Sequence, residues 1–226
     1  MYSEQHHPWV VYQYSRVADA MVSCIQLWTR VRRREQDIVA IAHVPRWSVE
    51  QYLEMERFST VKHEFVDGYV YAMAGGTRAH NAISANLIAL LHARVRGGPC
   101  RVYTSDMKVR LTPTDYVYPD VSVSCDARDR GREGELSISY PVLAIEVLSD
   151  STKAYDQGDK FTLLYAHNPA LRDYVLVSAH TYAVEVRARQ ADGSWAIHTY
   201  GAGQSVRLES LDLVLPLRDI YDDIDI

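Results

Sequence analysis

The sequence has few cysteines and no long apolar run, and both shortages restrict the class of protein. Its three cysteines, Cys24, Cys100 and Cys125, form no CxxC pair and no even set, so we expect neither a disulfide framework nor a zinc site. This cysteine usage favours a reducing, cytoplasmic compartment. No apolar stretch approaches the ~20 residues that cross a bilayer, and the first residues lack the layout of a secretory signal.

Several signatures of other enzymes and of strong nucleic-acid binders are also missing. No strand is followed by a Gly-rich phosphate loop, and there is no Gly-x-Ser-x-Gly motif. The net charge is −5, divided into +2 for residues 1–47 and −7 for residues 48–226. An acidic chain of this kind argues against strong, non-specific binding to nucleic acid. Any contact with phosphate groups must therefore depend on a local basic face or on metal ions.

The 226 residues are enough for one ordinary domain with an appendage. Residues 1–47 look like an N-terminal extension, which forms one short helix or is partly disordered. It is a loosely attached arm, sequence upstream of the true domain start, or a basic segment that touches nucleic acid or a partner. The domain itself is expected over residues 48–226.

The order of local signals predicts a mixed α/β sheet with flanking helices and a strand-rich C-terminal part. A capping box at Ser48 predicts a helix, and Asp67-Gly68 predicts a hairpin between two short strands. Thr77 is expected to cap a longer helix, and Asp156 to cap a helix near residues 157–167. The predicted strands are residues 63–66, 69–72, 101–111, 116–124, 142–148, 174–178, 183–188 and 196–200.

Two acidic residues occupy positions where a simple folding pattern does not place them. Asp120 follows Pro119 at the head of a strand, and Glu146 interrupts the apolar run of residues 140–148. Acidic side chains are rarely buried unless they are paired or bind a metal. Lys160 follows near the start of a predicted helix. Two strand carboxylates and one lysine are the groups that a metal-dependent phosphodiesterase needs.

Elementary electrostatics indicates what these carboxylates require. At a separation of ~4 Å, their repulsion is ~4 kcal/mol at an effective dielectric constant near 20. A shared proton or a divalent cation would offset this repulsion. Hard oxygen ligands favour Mg²⁺ or Mn²⁺, which can lower the pKa of a bound water and neutralise charge on a phosphate.

These residues resemble the PD-(D/E)XK signature of restriction-endonuclease-like folds and, more closely, the Uma-two family of restriction endonucleases. The resemblance spans about residues 48–224, and residues 1–47 have no counterpart in it. It depends on several ordered motifs: residues 62–68 (KHEFVDG), 73–76 (MAGG) with His80-Asn81, 105–109 (SDMKV), 118–120 (YPD), 146–149 (EVLS) with Ser151-Thr152, and 159–161 (DKF).

The resemblance implies a set of site residues, with one departure from the superfamily pattern. The lysine of (D/E)XK should lie two residues after Glu146, where this chain has Leu148. In the resembled family the lysine moves to the following helix, which assigns its role to Lys160. The resemblance also implies that Glu64 joins Asp120 and Glu146 as a metal-binding acid.

Simpler interpretations remain open for each residue. Asp120 can be an ordinary turn residue, and Glu146 can lie on the exposed face of an edge strand or be buried and paired with an arginine. Lys160 and Glu64 can be solvated surface charges. His80 either contacts substrate or is only a hydrogen-bonded structural residue. Asp106 and Lys108 alternate with apolar residues, which is typical of a solvated strand face, so neither is assigned to the site.

Our leading hypothesis is a Mg²⁺- or Mn²⁺-dependent endonuclease that hydrolyses DNA phosphodiester bonds. Its catalytic residues would be Glu64, Asp120, Glu146 and Lys160, and the three acids would hold the metal. One alternative is a catalytically silent nuclease-fold module that binds nucleic acid or a protein. Another is a structural or antitoxin-like oligomer. Nuclease-like domains of this size often form homodimers, and residues 206–217 supply an apolar stretch for such an interface.

Overall fold

The computed structural model describes residues 46–131, 136–149 and 153–226. The predicted N-terminal extension lies outside these residues except for Arg46 and Trp47. Both of these residues contact the turn at Asp67-Gly68: Trp47 N–H donates to the Gly68 carbonyl at 2.8 Å, and Arg46 pairs with Asp67 at 2.9 Å. Within the described ranges, no helix is both long and apolar enough to cross a membrane.

The described residues form four α-helices and thirteen strands. The helices are α1 (Val49–Phe58), α2 (Arg78–Val95), α3 (Lys153–Gln157) and α4 (Leu217–Ile220). The strands are β1 (His63–Val66), β2 (Tyr69–Ala72), β3 (Arg101–Thr104), β4 (Lys108–Arg110), β5 (Tyr116–Val117), β6 (Val121–Ser124), β7 (Ser137–Ile138), β8 (Pro141–Leu148), β9 (Asp173–Ser178), β10 (Ala183–Arg189), β11 (Trp195–Gly201), β12 (Ser205–Leu208) and β13 (Leu213–Pro216). A π-helical turn (Lys160–Leu164) and 3₁₀ turns (Ala127–Arg130, Tyr165–His167 and Glu209–Leu211) complete the set.

The local signals at the start of the domain are confirmed. The Ser48 side chain accepts the Gln51 N–H, and the Gln51 side chain accepts the Ser48 N–H, which is a complete capping box. Strands β1 and β2 pair in register around Asp67-Gly68, and both turn residues have positive φ. Thr77 caps α2 by accepting the His80 N–H.

Two sheets form the centre of the fold. The larger has six strands in the order β11-β10-β9-β8-β6-β3, and the smaller has five in the order β2-β1-β5-β4-β7. Strand β8 runs antiparallel to β6 and parallel to β9. The parallel step needs a crossover, which the helical residues 153–167 supply. The mixed sheet, the flanking helices and the strand-rich C-terminal part agree with the predicted fold class.

Two predicted strands are each divided between the two sheets. Residues 101–111 form β3 and β4, separated by a turn at Ser105-Asp106, and β3 joins the larger sheet while β4 joins the smaller. Residues 116–124 form β5 and β6, which separate at Pro119-Asp120. Proline has no N–H for the ladder, so the chain leaves one sheet there and enters the other. Asp120 therefore lies at the junction of the two sheets.

The central strand β8 is buried on both faces. Leu143, Ile145 and Val147 belong to a core with α2, β6, β9 and β10, whereas Ala144 packs with Tyr165 and Tyr174 on the opposite face. The apolar stretch of residues 206–217, which we expected at a dimer interface, contributes to the first of these cores. Its inward-facing members are Val206, Leu208, Leu215 and Leu217.

The expectation that the cysteines form no disulfide is wrong for Cys100 and Cys125, and Cys24 lies outside the described residues. Cys100 and Cys125 form a disulfide with their Cα atoms 3.9 Å apart. The antiparallel register pairs Arg101 with Ser124, so the residues one step outside that pair face each other. The two cysteines are 25 residues apart in sequence, so the pairing could not be predicted without the strand register.

Candidate active site

Asp120 is held against strand β8 at the junction of the two sheets. The register pairs Val121 with Ile145, so Asp120 lies beside Glu146. Its Oδ2 accepts the Val147 N–H at 2.7 Å and lies 3.1 Å from Nε2 of His80. The side chain is 15% exposed, which leaves it in contact with solvent through a cavity. The convergence expected for Asp120 and Glu146 is therefore present in the structure.

Glu146 is a buried acid on β8, on the face covered by the helical crossover. Its Oε1 accepts the Tyr165 hydroxyl at 2.7 Å and lies 2.9 Å from the Lys160 ammonium. Burial is the main cause that raises the pKa of Glu146 to about 8; Lys160 opposes this rise, and the neighbouring acids, including Asp156 and Asp120, add to it. A proton or a cation is therefore needed to stabilise this carboxylate in place.

Lys160 lies at the centre of the acidic cluster and not on a solvated helix face. Its ammonium is 2.9 Å from Oε1 of Glu64, 2.9 Å from Oε1 of Glu146 and 3.5 Å from Oδ1 of Asp156. Burial acts to lower the pKa of Lys160, but the three carboxylates outweigh it and hold that pKa well above its ordinary value. The residue begins the π-helical turn, and such turns are frequent at functional sites.

Glu64 reaches the same cluster from strand β1. It is almost fully buried, and its Oε1 accepts the Tyr118 N–H at 3.3 Å in addition to the Lys160 contact. Tyr118 directly precedes the Pro119-Asp120 break, so one short segment contacts Glu64 and carries Asp120. The hairpin that positions Glu64 was evident in the sequence, whereas its contact with Lys160 required the fold.

Asp156 is an acid of the cluster that sequence reasoning assigned to another role. We expected it to cap a helix, but it lies inside α3, is 4% exposed and faces Lys160. The helix begins earlier than expected, at Lys153. The spacing of four between Asp156 and Lys160 is the signal that could have identified it, because residues four apart share a helix face.

The hydrogen bonds of three acids share one arrangement. In Asp120, Glu146 and Glu64, both donors described above converge on the same carboxylate oxygen. Each carboxylate is thus oriented by two protein donors at one oxygen.

The acids and Lys160 line one cavity of about 340 Å³. It contains all four sequence-predicted site residues, together with Asp156 and His80.

The other two charged residues considered from the sequence lie elsewhere. Asp106 is exposed and pairs with Lys62. Lys108 is 4% exposed and its ammonium lies 5.1 Å from the Tyr52 ring centroid, so the prediction of a solvated face is wrong for Lys108.

The chemistry of this donor set fits a hard divalent cation. Three carboxylates contact the Lys160 ammonium and Asp120 lines the same cavity, so acids outnumber the ammonium, and carboxylate oxygens suit Mg²⁺ or Mn²⁺. In the described part of the chain, no three His, Cys, Asp or Glu side chains form a ready-made metal site. The Lys160 ammonium lies between Glu64 and Glu146. One or two carboxylates are sufficient for Mg²⁺ when waters and a phosphate complete its shell.

The buried Glu146 makes metal-free stability depend on pH. Its folded pKa of about 8 exceeds its ordinary value of 4.5, so the native state keeps a proton that the unfolded chain loses. This contribution to stability is complete below pH 4.5 and is lost as pH rises through about 8. One pKa unit corresponds to about 1.4 kcal/mol, so we expect a loss on the order of a few kcal/mol.

Glu146→Gln should remove this loss, because the amide does not titrate. Urea unfolding in EDTA between pH 5 and pH 9 would measure it, with the free energies of wild type and variant compared at each pH. If the free energy of unfolding changes with pH in the same way for wild type and variant, Glu146 is not protonated in the metal-free state.

The fold and the site together define the class of protein. A mixed sheet with flanking helices brings an acid at a strand break, an acid on the neighbouring strand and a lysine from the next helix into one cavity. This arrangement is that of a restriction-endonuclease-like α/β protein. Residues 49–218 match the model of the Uma2 family, described as "Putative restriction endonuclease", and the chain belongs to that family. The resemblance inferred from the motifs is therefore confirmed.

Similar proteins cover most of this chain. An uncharacterized protein of Synechocystis sp. is 44% identical over 181 residues, which cover 80% of this chain and 94% of the relative. A second uncharacterized protein of the same organism is 28% identical over 173 residues, with coverages of 76% and 97%. A crystal structure described as a putative nuclease belonging to DUF820, from Anabaena variabilis, has a TM-score of 0.61. It is 17% identical, covers 77% of this chain and 97% of its own, and supports the fold alone.

Proposed function

We propose that this protein is an endonuclease that hydrolyses phosphodiester bonds in DNA with the help of Mg²⁺ or Mn²⁺. One observation carries the proposal: a buried lysine bridges two acids beside a third acid at a strand break, all in one cavity. A structural salt bridge does not need three carboxylates for one ammonium. The excess of negative charge is what a cation-binding site requires.

Each residue has a distinct proposed role. Asp120, Glu146 and Glu64 offer carboxylate oxygens to the cation, and their remaining oxygens are held by protein donors. A bound cation would lower the pKa of a water and offset charge on the phosphate. Lys160 orients the attacking water and stabilises negative charge that develops on the phosphate oxygens. Asp156 keeps the Lys160 ammonium charged and directed into the cavity.

Leu148 supports the transfer of the lysine role to the following helix. It occupies the place of the lysine in the (D/E)XK pattern, yet it is buried in an apolar cluster. Strand β8 therefore carries no ammonium group two residues after Glu146. The Lys160 ammonium instead reaches Glu146 from the helical crossover, so it can take the role that the lysine of the (D/E)XK pattern has.

A direct test is the cation dependence of cleavage. Purified protein should nick or cut plasmid DNA with Mg²⁺ or Mn²⁺ and should leave it intact in EDTA, with linear duplex, single-stranded DNA and RNA as parallel substrates. Cleavage that is unaffected by EDTA would contradict the proposal. Calorimetric binding of Mn²⁺ without cleavage of any substrate would favour the alternative, a nuclease-fold module that binds nucleic acid or a protein without cutting.

The expected homodimer and cytoplasmic location stay predictions.

A further inference from the structure

His80 is fixed in the first turn of α2, at the edge of the cavity. Its backbone N–H donates to Oγ1 of the capping Thr77 at 3.2 Å, so the cap sets the position from which the imidazole projects. From there, Nε2 lies 3.1 Å from Oδ2 of Asp120. The same oxygen accepts the Val147 N–H at 2.7 Å. Asp120 is therefore held from two directions, by β8 and by α2.

The opposite edge of the imidazole is covered by Gly76. A Cβ atom at residue 76 would lie 2.5 Å from Nδ1 and 2.8 Å from Cγ of His80, which is closer than real Cβ contacts allow. The φ angle of Gly76 is not positive, so the backbone conformation does not require glycine at this position. Glycine is required because a side chain would collide with the imidazole. The neighbouring Gly75 differs, because a Cβ atom there would meet no atom within 4 Å.

The protein itself supplies the surroundings of both ring nitrogens of His80. Nε2 is directed at Asp120, and Nδ1 is buried without a hydrogen-bond partner among the described residues. A histidine that contacted the substrate would need at least one of these nitrogens to face the cavity. The contacts favour a role that acts through Asp120.

We propose that His80 is a positioning residue for Asp120 and that Gly76 is the space-restricted residue that holds the imidazole in place. The His80 Nε2–H and the Val147 N–H fix Oδ2, and the carboxylate is oriented so that Oδ1 is presented to the cation. The effect on cation binding rests on the proposed function. The effect on the orientation of Asp120 does not.

A double-mutant cycle between residues 76 and 80 tests the proposal. His80→Ala is expected to weaken Mn²⁺ binding about 10- to 100-fold, the range found when a group that orients a metal ligand is lost. Gly76→Ala is expected to weaken binding similarly, because its Cβ displaces the ring. In the His80→Ala background, Gly76→Ala should have no further effect, since the ring that it would displace is absent. Isothermal titration calorimetry gives the four affinities.

Two further variants separate positioning from a general loss of structure. Gly75→Ala is the matched control and should bind Mn²⁺ like wild type, because its Cβ enters open space. His80→Gln keeps an N–H donor near the place of Nε2 and should recover most of the affinity. Additive losses in the double variant, equal losses for Gly75→Ala and Gly76→Ala, or unchanged affinity in His80→Ala would each overturn the proposal.

Crystal structures of metal-free wild type, His80→Ala, Gly76→Ala and Gly75→Ala provide a second readout. We expect the Asp120 carboxylate to rotate in the first two variants and to stay in place in Gly75→Ala. If wild type binds no cation but Asp120 rotates as expected, the proposed function fails and the positioning role stands. If Asp120 keeps its orientation in His80→Ala, the positioning role is wrong whether or not the cation binds. Should Gly76→Ala not fold, His80→Ala and His80→Gln still decide the result.

Discussion

Asp120→Asn should reduce cation-dependent DNA cleavage by about 10³-fold, the scale of losing one group that stabilises charge in a transition state. The substitution conserves shape but removes the negative charge that a cation would bind. Because Asp120 is 15% exposed and lies at the edge of the core, the fold should tolerate the amide. The measurement is the rate of plasmid nicking in Mn²⁺, together with the urea midpoint of both proteins.

Asp106→Asn is the matched control for this prediction. Asp106 is also a loop aspartate paired with a basic side chain, but its side chain is 86% exposed and lies outside the cavity. Its substitution should leave the cleavage rate unchanged. Equal rates for wild type and Asp120→Asn would remove Asp120 from the mechanism. A large fall in the urea midpoint of Asp120→Asn would instead indicate a structural role for the Val147 contact.

Lys160→Met is expected to lower the free energy of unfolding by about 3–5 kcal/mol in EDTA at pH 8, the range for removing one partner of a buried ion pair. Methionine keeps the apolar stem and deletes only the ammonium. Glu64, Glu146 and Asp156 then face one another in a buried cavity without the cation that they share. The same variant should lose most cleavage activity, since no ammonium remains to orient the water.

A divalent cation should recover more stability in Lys160→Met than in wild type. A ligand that binds only the native state stabilises it by RT ln(1 + [L]/Kd), and the unneutralised acids of the variant should bind Mn²⁺ more tightly than those of wild type. Thermal unfolding with increasing Mn²⁺ measures this difference. Lys153→Met, a substitution at an exposed position of α3, should show neither the destabilisation nor the larger response. A smaller Mn²⁺ response in Lys160→Met than in wild type would argue against a shared cation site.

The parts of the fold that were predicted from sequence depend on contacts between residues close in the chain. The Ser48 capping box, the Asp67-Gly68 hairpin and the Thr77 cap are decided within a few residues. The acids Asp120 and Glu146 were also identifiable, because each breaks an otherwise consistent pattern of strand residues. Their selection required only the physical cost of burying a charge without a partner.

The parts that were not predicted depend on which distant segments become neighbours. The strands 101–111 and 116–124 were each read as continuous, and only the pairing of their halves in separate sheets shows the breaks. Asp156 seemed to be a cap until the preceding helix was seen to begin at Lys153. Lys108 has the alternation of a surface strand, yet the aromatic rings of Tyr52 and Tyr118 cover it.

The sequence by itself determined the fold class, the family and four of the charged residues that line the cavity, because these follow from local pattern, motifs and side-chain chemistry. The tertiary structure alone decided that Lys160 stands between Glu64 and Glu146, that His80 supports Asp120, and that Cys100 meets Cys125. These contacts join residues that are 14 to 96 positions apart. Strand register and sheet pairing bring such residues together, and neither is encoded in any short stretch of the chain.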